Sequence, residues 1–122
     1  TQNYHWNVKG PHFKQLHDLF GEQYNELNTA IDDIAERIRA LGTNAPANYS
    51  TYQSLSKIED GKEDQDSISM VKDLANDQKK IVDDLNIAIE VAQKAGDEST
   101  ADLAIGRITA HEKNRWMLES SI

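Results

Sequence analysis

The chain contains no cysteine. Disulfide staples and thiolate metal sites are excluded, so any bound metal must be held by imidazole and carboxylate, a donor set that suits iron, zinc or manganese. Long apolar runs are also missing, and nothing approaches the roughly 20 residues needed to span a bilayer. Positive charge is scarce: 13 Lys and Arg face 21 Asp and Glu, a formal net charge of −8. That balance opposes nonspecific binding to nucleic acid and suits cations at an acidic surface. Hydrophobic residues make up 38% of the 122 positions, enough for one domain whose core comes from well-aligned stripes rather than bulk apolarity. No fixed-period repeat is present. No initiator Met opens the sequence, which starts TQNYHWNVKG, so the first helix is expected to be truncated at its N-terminus.

What the sequence does have is one long helical pattern over residues 11–41. Pro11 suits a first turn and Gly42 stops the helix just past its end. Phe13, Leu16, Phe20, Tyr24, Leu27, Ile31, Ile34, Ile38 and Leu41 recur at helical spacing and define an apolar stripe about 100° wide. A second stripe lies beside it, within about a further 100°: His17, Gly21, Asn25, Asn28, Asp32 and Glu36. Asp18, Glu22, Asp33 and Arg37 are expected to face water.

The second stripe has metal-ligand chemistry, yet at 1.5 Å per residue His17 and Glu36 are roughly 28 Å apart. One ion cannot touch both. An antiparallel copy of the helix removes the difficulty. With a two-fold axis between Glu26 and Leu27, His17 faces the other copy's position 36 and position 21 faces its position 32, giving two equivalent sites. The competing reading of the stripe is a solvated flank carrying a few charges.

Residues 1–9 read as the last turns of a helix ended by Gly10-Pro11. If that segment folds back on the long helix, His5 comes level with His17 and Trp6 lies beside the site; otherwise His5 is a surface or capping histidine. His12, at the turn, is off the ligand stripe. Residues 42–66 are rich in Gly, Asn, Pro, Ser and Asp and read as a long crossover carrying a short outer helix over 50–58, anchored by Tyr49, Tyr52, Leu55 and Ile58. Residues 67–95 form the next long helix, ended by Gly96. Ser99, with Asp102 three residues on, approximates a capping box for a final helix packed by Ala101, Ala104, Ile105, Ile108, Trp116 and Leu118. His111 extends that stripe and reads as a hydrogen-bonded core histidine. The result is an all-α, four-helix bundle of ferritin-like connectivity, with a short extra helix in the crossover between the second and third helices.

Ferritins proper hold iron inside one bundle with Glu-x-x-His pairs. No Glu stands three residues before His5, His12, His17 or His111, so an interior site of that kind is disfavoured. The ordered set His5-Trp6-Asn7-Val8-Lys9-Gly10-Pro11-His12-Phe13, Leu16-His17 and Asp32-Asp33-Ile34-Ala35-Glu36-Arg37-Ile38-Arg39-Ala40-Leu41-Gly42 resembles the Dps family, the DNA-binding proteins from starved cells or miniferritins. Ser99-Thr100-Ala101-Asp102-Leu103 and the segment from Glu112 through Trp116-Met117-Leu118 are similar too, so the resemblance covers nearly the whole chain.

The resemblance implies a hollow dodecamer built from two-fold dimers, in the bacterial cytoplasm or at the nucleoid. Such a shell oxidises ferrous iron, typically with hydrogen peroxide, and stores ferric mineral. It implies a ferroxidase centre made of His5 and His17 from one subunit with Asp32 and Glu36 from its neighbour. Trp6 would intercept stray oxidant, with ordinary packing against the turn as the alternative. Asp97, Glu98 and Asp102 would line the pore that admits iron, and they also suit a helix start. One position departs from the pattern: the family has an acid four residues after the second histidine, where this chain has Gly21. A carboxylate restored there is expected to project into a gap beside His17 and to strengthen iron binding. Two other functions stay open on the sequence. One is a DNA-compacting protein that binds through a Lys-rich tail outside these residues; the other is a structural shell whose metal site is weakened by Gly21.

Overall fold

A computed structural model describes all residues, Thr1–Ile122. It contains five helices: α1 (Gln2–Asn7), α2 (Phe13–Ala40), α3 (Tyr49–Leu55), α4 (Ser67–Lys94) and α5 (Glu98–Glu119). Four of them make the expected bundle, with α3 in the crossover between α2 and α4. No helix is long and apolar enough to cross a membrane.

The ends of the helices follow from local chemistry. Gly10, Gly42 and Gly96 have φ of 111°, 94° and 73°, a region that costs glycine nothing and other residues more. After α2, the Thr43 amide reaches the Ile38 carbonyl and the Gly42 amide that of Arg39, and Gly96 ends α4 in the same manner. Side-chain caps open the last three helices: Asn48, Asp66 and Asp97 accept from the amides of Thr51, Ser69 and Thr100. The expected cap at Ser99 is corrected accordingly. Helix α5 starts at Glu98, because Asp97 is two residues nearer the Gly96 turn and its carboxylate reaches the orphan Thr100 amide.

The core is concentrated at one end, where Tyr4, Val8, Leu16, Phe20, Met70, Val71, Leu74, Ala75 and Leu118 pack together. Tyr4 also pins α1 to α4, its hydroxyl donating to Asp73 at 2.8 Å; burial first, then Asp73, pushes the phenol up to about 12. At the other end the buried residues are small: Ala30, Ala92, Ala101 and Ala104.

Three packing expectations need correction. The buried face of α2 runs through Leu16, Phe20, Gln23 and Ala30, and at 100° per residue Phe13 and Ile31 lie about 60° to one side, left exposed with Leu41. On α3, Tyr49 is 90% exposed and Tyr52 and Leu55 are open as well, so the short helix does not pack by those anchors within one chain. On α5, Ile105 and Trp116 are exposed rather than core, because the buried line runs through Ala101, Ala104, His111 and Leu118.

Candidate metal centre

The turn at Gly10 lays α1 antiparallel on the first half of α2. His5 and His17 thereby meet, their rings stacked with centroids 4.1 Å apart and planes at 18°. Each ring grips the other's backbone: His5 Nδ1 lies 2.7 Å from the His17 carbonyl oxygen, and His17 Nδ1 lies 2.7 Å from that of His5. A carbonyl only accepts, so each Nδ1 carries and donates the proton. In the uncharged form each ring is thereby set in the tautomer that leaves the Nε2 lone pair for a cation. Phe13 stacks on His17 in turn, at 5.1 Å and 28°.

Gly21 sits beneath this pair. It is buried, and a Cβ built on it would stand 2.8 Å from His5 Cε1 and 3.0 Å from His5 Nδ1. The expected gap beside His17 is therefore filled by the His5 ring. Trp6, next in sequence to His5, is 67% exposed, so packing against the turn does not account for it. His12 is exposed at the start of α2 and makes no side-chain cap.

Asp32 and Glu36 lie on the exposed side of α2, roughly 22 and 28 Å along the helix from His17 at 1.5 Å per residue. No three His, Asp or Glu side chains converge within one chain. Along the same turns of α2, on another side of the helix, runs an apolar groove of about 370 Å³, whose lining includes Ile31, Ile38, Pro46, Tyr52 and Leu55.

The acidic cluster divides. Asp97 pairs with Arg37 at 2.9 Å while capping α5. Hydrogen bonds from the Thr100 hydroxyl and amide, with the Arg37 charge adding, hold its carboxyl below the ordinary range. Arg37, expected to face water, is instead half-buried in this contact. Glu98 and Asp102 are exposed, one helical turn apart.

The interior of the bundle holds a polar layer instead of a carboxylate pair. His111 is 4% exposed; its Nδ1 donates to Gln78 Oε1 at 2.6 Å and its Nε2 accepts from Arg107 at 3.0 Å. Arg107 also makes a two-pronged ion pair with Glu26, whose carboxyl is held low chiefly by that hydrogen bond. Burial, with the Arg107 charge, lowers His111 to about 4. The expectation of a partnered core histidine is met, and the fixed charge of Arg107 opposes a cation here. Gln23 and Gln78 are buried in the same region. The i, i+4 pair Arg107–His111 was the sequence signal for this layer, together with Gln23 and Glu26 on the inner side of α2.

The ferritin-like domain profile matches residues 1–122. The chain is 40% identical over 118 residues to DNA protection during starvation protein 2 of Bacillus anthracis, covering 97% of this chain and 81% of that one. The crystal structure of a Dps protein from Bacillus brevis superposes with a TM-score of 0.95 at 36% identity, covering 98% of this chain and 80% of that chain. A Vibrio cholerae Dps protein, described as a member of a broad superfamily of ferritin-like diiron-carboxylate proteins, gives 0.93 at 32% identity over 98% of this chain and 75% of its own.

Proposed function

Because the chain belongs to the Dps family of ferritin-like proteins, we propose that it is a ferroxidase and iron store. In this reading it binds ferrous iron at sites shared by two copies, oxidises it with hydrogen peroxide, and holds the ferric product as mineral inside a hollow dodecamer. The observation that carries the proposal is the reciprocal grip of His5 and His17, which fixes both imidazoles with Nε2 free. His111, by contrast, has both ring nitrogens partnered inside the bundle.

The remaining ligands in this proposal are Asp32 and Glu36 of the second copy. Two α2 helices related by an axis between Glu26 and Leu27 bring position 36 to His17 and position 32 to Gly21. The apolar groove along the same turns of α2 supplies surface for contact between copies, since Ile31, Tyr52 and Leu55 are exposed in the single chain. Imidazole accepts the borderline ferrous ion, and hard carboxylate oxygens favour the ferric product. Two ferrous ions give one electron each to one peroxide molecule, whose O–O bond breaks. With two further water molecules the products are two ferric oxyhydroxide units and four protons. The two-electron step releases no hydroxyl radical.

Glu98 and Asp102 are the acids free to draw cations to the start of α5, and Asp97 shapes that opening from its cap. Trp6 stands next to the site as a sacrificial reductant. The names of the relatives speak of DNA protection. Consuming ferrous iron and peroxide together protects DNA without touching it, and the net charge of −8 opposes contact with phosphates.

Anaerobic ferrous titration followed by peroxide tests the reading. Wild-type protein should bind iron and oxidise it rapidly, while His17→Ala should lose most of both. Equal binding and oxidation in that variant would remove His17 from the site.

A further inference from the structure

We propose that Gly21 is a positioning residue: its missing side chain is the notch that seats the His5 imidazole against His17. The inference rests on reading His5 and His17 as iron ligands. The backbone of α2 does not need glycine here, since the positive-φ glycines are Gly10, Gly42 and Gly96 alone. Space needs it. An added Cβ would meet three atoms of the His5 ring, at 2.8 Å from Cε1, 3.0 Å from Nδ1 and 3.6 Å from Nε2. Ordinary carbon contacts begin near 3.5 Å, so the ring would have to retreat by roughly half an ångström or more.

Retreat of the His5 ring disturbs the contacts that hold it. It is tied at Nδ1 to the His17 carbonyl and stacked on the His17 ring, which is itself stacked on Phe13. Moving His5 therefore breaks a hydrogen bond that sets its tautomer, or parts the two imidazoles. Position 21 thus acts through another residue's geometry. The site has no carboxylate at that position and has a close, pre-oriented pair of imidazoles beside it. The other mid-helix glycine with no strained backbone, Gly106, supplies the comparison: a Cβ there meets nothing within 4 Å.

The test uses assembled, metal-free protein in three forms: wild type, Gly21→Ala and Gly106→Ala. Solid-state ¹⁵N spectra of the histidines, taken well above the imidazole range, report tautomers directly. Co²⁺ titration, read by its visible absorption, reports the metal site. Wild type and Gly106→Ala should show His5 and His17 protonated at Nδ1 and should bind Co²⁺ alike. Gly21→Ala should lose the His5 Nδ1–H signal and bind Co²⁺ roughly 10–100-fold more weakly, the range typical when a ligand's supporting partner is lost.

Thermal melting adds a second arm. Gly21→Ala should melt lower than wild type. In a His5→Ala background the same change should melt higher, because alanine outranks glycine in a helix once the ring is gone. Retention of the His5 signal and of Co²⁺ affinity in Gly21→Ala would overturn the proposal. If wild type and His17→Ala bind Co²⁺ equally, the reading of the two histidines as ligands falls, and the tautomer and melting arms still decide the role of Gly21.

Discussion

At the scale of single residues, His111 makes the clearest pH prediction. Its folded pKa is about 4, against an ordinary value of 6.5, because burial and Arg107 disfavour the charged ring. The unfolded chain therefore takes up this proton at a higher pH than the folded one. The associated stability is present in full above pH 6.5 and is lost progressively as pH falls to about 4, amounting to roughly 3 kcal/mol. Urea unfolding at several pH values should show that slope, and His111→Gln should flatten it between pH 6.5 and 4.5. An identical slope in the variant would assign acid sensitivity to other groups. Glu26 acts in a lower window: its carboxyl is depressed by Arg107, so its contribution is lost only as pH falls below the ordinary carboxylate range. The juxtaposition of His5 and His17 was legible in the sequence, because Gly10-Pro11 marks a reversal and the two histidines stand at matching distances from it. Their exchange of Nδ1–carbonyl bonds was not, since it depends on ring depth, which Gly21 sets.

At the scale of elements, α5 separates capping from cation attraction. Asp97 caps the helix and pairs with Arg37, so Asp97→Ala should lower the melting temperature. Glu98 and Asp102 do neither. Glu98→Gln with Asp102→Asn should leave the melting temperature within a degree or two and slow iron uptake severalfold, measured by stopped-flow absorbance. Unchanged uptake would leave the cluster with a structural role only. The helices themselves were readable from Gly42 and Gly96, whose effects are local. Which side of α2 is buried was less so. Phe13, Tyr24, Ile31 and Ile38 are as apolar as the true core line, and sequence alone does not separate an apolar residue facing its own bundle from one facing another copy. The buried face instead takes Gln23 and Ala30, where a polar layer and close helix approach outweigh side-chain hydropathy.

At the scale of the molecule, charge and assembly decide the function. The 122-residue chain carries a net charge of −8, so it should not retard plasmid DNA in a gel at physiological salt. Retardation that weakens steeply with added salt would show a basic surface that this charge balance does not provide. The central claim is that each iron site takes its histidines from one copy and its carboxylates from another. It is tested most directly by mixing two inactive proteins, His17→Ala and Glu36→Gln, unfolding and reassembling them together, and measuring peroxide-driven ferrous oxidation. In a mixed dimer one site carries both lesions and the other carries neither. The shared-site account predicts that each variant alone is nearly inactive and that the reassembled mixture recovers about a quarter of wild-type activity, because half the dimers are mixed and each has one intact site. Activity in the mixture no higher than the average of the two parents would contradict it, because sites built within a single chain gain nothing from mixing.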